Sequence, residues 1–182
     1  MAGAIVLPEV LVRQQRAGAL FNTFTTAKRI INDEDVFTFP PNTFRVGVAF
    51  EFYIKGGLSN VASSPGNVFF QFMMGSVIAY TTGNLAFNAS ARTLLPFTLK
   101  GTLRVDSIGP TTTAKFLGMG EFGGIHLTNT DQTIQVPTTA PAVGTGFDST
   151  AQQAAEVWAG FSNSQSGNGV QLYDYQLTQT QF

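Results

Sequence analysis

Between residues 43 and 55 the chain reads TFRVGVAFEFYIK, and apolar side chains fall on every second position: Phe44, Val46, Val48, Phe50, Phe52 and Ile54. Arg45, Gly47, Ala49, Glu51, Tyr53 and Lys55 lie between them. Side chains of a β-strand point alternately to opposite faces, so this spacing predicts one long strand with an apolar face and a mostly wetted one. A helix would scatter those six residues around its circumference. An apolar sheet face must be covered by a second layer, and the rest of the chain is expected to supply it.

The other segments follow the same pattern. Residues 18–26 predict a first strand, 28–35 a short turn, and 36–39 a strand that Pro40-Pro41-Asn42 terminates. Gly56-Gly57 is read as the end of the long strand. VFFQFMM at 68–74 is apolar on both faces and belongs in the middle of a sheet; 77–80 continues it after Gly75. In 97–105, Phe97, Leu99, Leu103 and Val105 point inward and Thr98, Lys100, Thr102 and Arg104 outward. Gly101 interrupts the inward row, as a bulge or a close approach would. Residues 113–122 read as the return strand of a hairpin, and 156–161 as another strand. Gly167-Asn168-Gly169 signals a hairpin into a closing strand at 170–177. The phase of that strand changes between Leu172 and Tyr173, which predicts a bulge or a second buried face. Residues 137–146 form the longest irregular connection, and such loops lie on the surface. STAQQAA at 149–155 has room for one or two helical turns. The count is roughly eight strands, which predicts an all-β, two-sheet antiparallel sandwich of jelly-roll type.

Residues 1–16 carry Ile5, Val6, Leu7, Val10, Leu11 and Val12 but also Pro8. They read equally as an edge strand of the domain or as an extended arm docking on a neighbouring chain. The division adopted is an N-terminal arm at 1–17 and a sandwich domain at 18–182.

Composition narrows the function more than any motif does. Only 12% of the 182 residues are charged, with Lys+Arg 10 against Asp+Glu 11. That balance gives no electrostatic reason to expect nucleic acid or an acidic membrane as partner. Phe 17 supplies a core-forming residue worth roughly 1.5–3 kcal/mol per buried side chain. The absence of cysteine excludes disulfides and thiolate metal sites and suits assembly in a reducing cytoplasm. The N-terminal apolar run lacks a preceding basic residue and is broken by Pro8 and Glu9, unlike a secretory signal. The apolar window 68–80 is too short for a membrane helix.

Candidate chemistry is sparse. His126, the single histidine, would have to serve any Ser–His–Asp device, yet no nucleophile elbow lies near it in sequence. Asn32-Asp33-Glu34-Asp35 groups three carboxylates, but without the spacing or the glycine of a calcium loop it reads as a solvated turn. Glu51 and Glu121 are the pair available for glycoside hydrolysis, with nothing in sequence to bring them together. Trp158, Tyr53, Tyr80, Tyr173 and Tyr175 offer rings for sugar stacking or for the core. The glycines of 118–124 lack the Lys-Ser/Thr of a phosphate loop, and Lys28-Arg29 is too small a basic patch for nucleic acid. No catalytic residue, metal ligand or cofactor is expected.

Five stretches together resemble a known group: Phe39-Pro-Pro-Asn-Thr-Phe-Arg-Val-Gly47, Val68-Phe-Phe-Gln-Phe-Met-Met-Gly75, Leu99-Lys-Gly-Thr-Leu-Arg-Val-Asp-Ser-Ile-Gly109, Val157-Trp-Ala-Gly-Phe-Ser162 and Gly167-Asn-Gly-Val-Gln-Leu-Tyr-Asp-Tyr175. Their order and spacing are similar to the small jelly-roll virion proteins of tailed bacteriophages, over most of the chain from about Leu20. The resemblance implies a homotrimer without enzyme activity on the outer capsid surface. Its leading role is capsid decoration (cement), bridging subunits of the major capsid protein through the 1–16 arm and the 137–146 loop. The alternative it implies is a receptor-binding fibre or spike tip that recognises a host glycan.

Overall fold

The computed structural model describes residues 8–124, 132–139 and 143–180. Among them thirteen strands, numbered in chain order, form two antiparallel sheets packed as a jelly-roll-like sandwich. The seven-stranded sheet runs β1 (Glu9–Arg13), β13 (Gly169–Thr180), β5 (Ala49–Asn60), β9 (Arg92–Ser107), β10 (Lys115–Gly124) and β11 (Gln132–Val136), with β2 (Phe21–Asn22) also on β13. The six-stranded sheet runs β3 (Lys28–Arg29), β12 (Gln153–Phe161), β6 (Asn67–Met74) and β7 (Val77–Thr81). Beside it, β4 (Phe37–Phe39) pairs with β12 and β8 (Leu85–Ala86) with β6.

The core between the sheets is built from phenylalanine. Phe39, Phe44, Phe50, Phe116 and Phe147 form one cluster with ring centroids 4.8–5.9 Å apart. Phe70, Phe97 and Phe122 form a second at 5.2–6.0 Å. Such pairs add about 0.5–1.5 kcal/mol each beyond the area they bury. The predicted inward row Phe97, Leu99, Leu103 and Val105 is buried as expected.

Several sequence expectations are corrected. The long strand begins at Ala49, not at residue 43. Arg45 to Val48 instead make a turn, closed by Val48 N–H donating to the Arg45 carbonyl at 3.2 Å, with Gly47 at φ 90°. Phe44 still enters the core, while Val46 is 61% exposed. Gly56-Gly57 does not end the strand: a Cβ at Gly56 would meet the Gln171 carbonyl and the Phe97 ring, so the glycine admits a close approach inside the sheet. Residues 18–26 yield only the two-residue β2. The 149–155 segment forms no helix, because Gln153, Ala154 and Ala155 pair with Phe39, Thr38 and Phe37. Gly167-Asn168-Gly169 does not make a hairpin, since β12 and β13 belong to opposite sheets. The buried Asn168 ties that crossing to the 61–65 loop, accepting from Val61 N–H at 3.1 Å and donating to the Pro65 carbonyl at 2.8 Å. The phase change in β13 is a register shift between Leu172 and Asp174, which leaves Tyr173 outside at 45% exposure.

In the N-terminal segment, β1 pairs along β13 from Glu9↔Gln179 to Arg13↔Gln176. The same edge continues through Gln14 N–H to the Tyr175 carbonyl at 2.7 Å and Gly18 N–H to the Leu172 carbonyl at 2.8 Å, then β2. Residues 1–7 lie outside the described residues.

Candidate functional site

Because strand side chains alternate, the register of the seven-stranded sheet sets its outward residues in rows. One row crosses Gln176, Tyr53, Lys100, Glu121 and Gln135. The next crosses Thr178, Glu51, Thr102 and Met119. Together they line an open groove of about 520 Å³. A second depression of about 350 Å³ continues it over Thr98, Gly123 and Thr133, and the two share Lys100 and Glu121.

The polar groups of the groove are held by one another. Lys100 Nζ lies 3.1 Å from Glu121 Oε2. The Lys100 hydrogen bond and charge, followed by a bond from Gln135, hold the Glu121 carboxyl below its ordinary value of 4.5. Gln176 Nε2 donates to Thr178 Oγ1 at 3.0 Å. Lys55 Nζ sits 5.1 Å from the Tyr53 ring centroid, and its pKa is raised chiefly by the Tyr53 side chain. Met119, 53% exposed, adds an apolar strip. The groove thus offers amides, hydroxyls, a carboxylate, an ion pair, one aromatic ring and a thioether along a shallow track. That mixture matches a polyhydroxylated chain better than an apolar small molecule, which needs an enclosed pocket.

The structure brings Glu51 and Glu121 to the same groove, two strands and two residues apart, so their Cα atoms stand roughly 12 Å apart. Glycosidase carboxyl groups face each other across one bond, and the acid needs a raised pKa. Glu121 is shifted the opposite way, and the groove is open along its length. Glu121 is therefore not the raised carboxyl that glycosidase acid catalysis needs.

The remaining candidates are dispersed. His126 lies outside the described residues. In the acidic cluster, Asp33 pairs with Arg29, Glu34 with Arg16 at 2.7 Å, and Asp35 accepts from the Asn32 amide at 2.9 Å. Among the described residues no three metal-binding side chains converge. Tyr80 and Tyr175 are core residues whose hydroxyl pKa burial pushes up; for Tyr175 the nearby Asp35 charge adds to this. Lys28 covers the Phe24 ring at 5.5 Å, and Arg29 is engaged by Glu156 at 3.0 Å as well as by Asp33. Sequence reasoning named Glu51, Glu121 and Tyr53 but not Met119, Gln135 or Gln176. The outward alternation in 97–105 already placed Lys100 and Thr102 on this face, but nothing in the sequence gives the strand order that gathers the rest.

No protein-family profile matches the chain, and no curated protein matches it. Among solved structures, the CBM2 module of the Lactobacillus casei BL23 phage J-1 evolved Dit aligns with 94% of this chain and 95% of its own, at 12% identity and a TM-score of 0.34.

Proposed function

We propose that this chain is a non-enzymatic adhesion module of a tailed-phage virion, and that it binds a host-surface glycan along the outer face of its seven-stranded sheet. The virion assignment rests on the resemblance of sequence spacing set out above. The glycan assignment is carried by one observation: an open groove lined together by Tyr53, Met119, two amides, Thr102, Glu51 and the Lys100–Glu121 pair, with Thr178 buried beneath. Sugars present apolar C–H faces and rings of hydroxyls, and a flat mixed surface meets both.

The alternative, capsid cement strapped on by residues 1–16, is less favoured because Glu9–Arg13 is committed to β13 of its own sheet. Assembly as a homotrimer belongs to the same proposal, and light scattering of the purified protein tests it.

The deciding measurement is binding of purified protein to cell-wall polysaccharide from candidate hosts. Tyr53→Ala is expected to weaken binding at least tenfold, equivalent to about 1.4 kcal/mol. Glu51→Gln and Glu121→Gln should reveal no hydrolysis to lose, because none is expected in the parent. Wild-type affinity in Tyr53→Ala, or reducing ends released by the parent protein, would overturn the reading.

A further inference from the structure

The second aromatic site lies where the N-terminal segment passes from one sheet to the other. Phe21 in β2 edges the seven-stranded sheet, Arg29 in β3 edges the six-stranded sheet, and between them and β12 a groove of about 470 Å³ is open to solvent. Trp158 lines it, opposite Arg29 in the β12–β3 register. The Trp158 indole N–H donates to one oxygen of Glu156 at 2.7 Å, and Arg29 donates to the other at 3.0 Å. Arg29 also reaches Asp33, and Arg16 reaches Glu34 at 2.7 Å. One carboxylate therefore fixes both the ring and the guanidinium, and a ligand meets groups already held in place.

The charges decide what such a ligand is. Three carboxylates, Asp33, Glu34 and Glu156, stand against two guanidiniums, Arg16 and Arg29, and leave the groove one negative charge. Each guanidinium is already spent on a carboxylate, so phosphates, sulfates and uronates find no free cation. The unused oxygens of exposed Asp33 and Glu34 accept, the remaining guanidinium N–H groups donate, and the half-buried indole supplies an apolar surface. Alternating donors and acceptors beside an aromatic ring suit vicinal hydroxyls on a ring with an apolar face.

We propose that this groove is a second saccharide site, taking a neutral pyranose residue against Trp158. It deepens the glycan reading, because two sites on one module raise avidity for a polymeric wall without any new contact.

Trp158 is the sole tryptophan, so its emission reports on this groove alone. The probes are methyl β-glucopyranoside, methyl β-galactopyranoside, methyl N-acetyl-β-glucosaminide and methyl glucuronide. At least one neutral glycoside is expected to shift the emission saturably with a dissociation constant of about 1 mM, and the glucuronide to do so at least tenfold more weakly. The shift should persist in Tyr53→Ala. Saturation-transfer NMR on Trp158→Phe, which keeps an aromatic ring, should show that glycoside still contacting the protein; Trp158→Ala, checked for fold by circular dichroism, should lose that contact when Tyr53→Ala is added. No emission shift with any neutral glycoside overturns the proposal, as does equal binding of the glucuronide. A shift abolished by Tyr53→Ala also overturns it and leaves the sheet-face reading standing. A Trp158 response beside wall binding that ignores Tyr53→Ala supports this site and removes the other.

Discussion

A Cβ on Gly101, which faces inward, would lie 2.6 Å from the Met119 carbonyl oxygen and 2.6 Å from the Phe52 ring. Gly123, on the neighbouring strand, faces outward; a Cβ there would meet nothing nearer than Thr133 Oγ1 at 3.5 Å. Packing demands the first glycine and does not demand the second. Gly123 leaves the floor of the extended groove bare, and a strand without side chains is what an approaching ligand needs. Gly101→Val is therefore expected to destabilise the fold by about 1–3 kcal/mol or more through overpacking. Gly123→Val should stay within about 0.5 kcal/mol of the parent in denaturant melts, yet weaken binding of long glycans. A Gly123→Val protein that binds long chains as the parent does would confine the ligand to the Tyr53 half. Asn168 gives a third contrast: Asn168→Asp replaces the amide that donates to the Pro65 carbonyl with a second acceptor. It is expected to cost about 1–3 kcal/mol, read as a lowered urea midpoint.

At the scale of elements, the edge of β13 carries the most consequence. Residues 9–22 run along it through β1, two backbone bonds and β2, and Leu11 and Val12 pack against the core. Deleting residues 1–16 removes that cover, the β1 ladder and the Arg16–Glu34 pair together. The truncated protein is expected to lose about 2–4 kcal/mol of stability for two partly buried apolar side chains and their ladder. It should also self-associate through the bared β13 edge. A monomeric truncation with the parent's melting temperature would mean that the segment is an appendage. This element also shows how far the sequence could be read. Local alternation found β9 and the inward phenylalanines of β5, because period two survives wherever one sheet face is buried, and an unbroken apolar run found β6. It failed at residues 43–48, where Gly47 turns the chain inside an unbroken alternation. It failed again at Gly167-Asn168-Gly169, where a hairpin signature carries the chain across the sandwich. The groove shared that limit: Tyr53 and Lys100 each read as outward, but only strand order makes them neighbours and brings Glu121 beside them.

For the whole molecule, stability rests on packing, since the chain has no cysteine, and its pH limits come from groups that the fold displaces. Glu34, Glu121 and Asp148 are all lowered: Glu34 first by its backbone bond and then by Arg16, Glu121 by Lys100, Asp148 by Thr150. A depressed carboxylate contributes stability above its ordinary value, 4.5 for the glutamates and 3.8 for Asp148, and loses it as pH falls through the lower folded value. Glu34 is exposed and Glu121 and Asp148 are only half-buried, so solvent screens all three and the acid limb is shallow. Tyr80 and Tyr175 act in the opposite direction. Burial raises both above 10.0, so their contribution is complete below that pH and is lost as pH rises from it toward the folded values. Both hydroxyls are buried with no hydrogen-bond partner among the described residues, so ionisation in place is strongly opposed and unfolding is the way to ionise. The expected profile of urea midpoint against pH is a broad plateau, a gentle fall below about pH 4 and a steep fall above about pH 10. Tyr80→Phe and Tyr175→Phe together should flatten the alkaline fall and leave the acid limb unchanged, since phenylalanine fills the same space without an ionisable group. An alkaline limb that is as steep in the double variant would place its origin outside these two tyrosines.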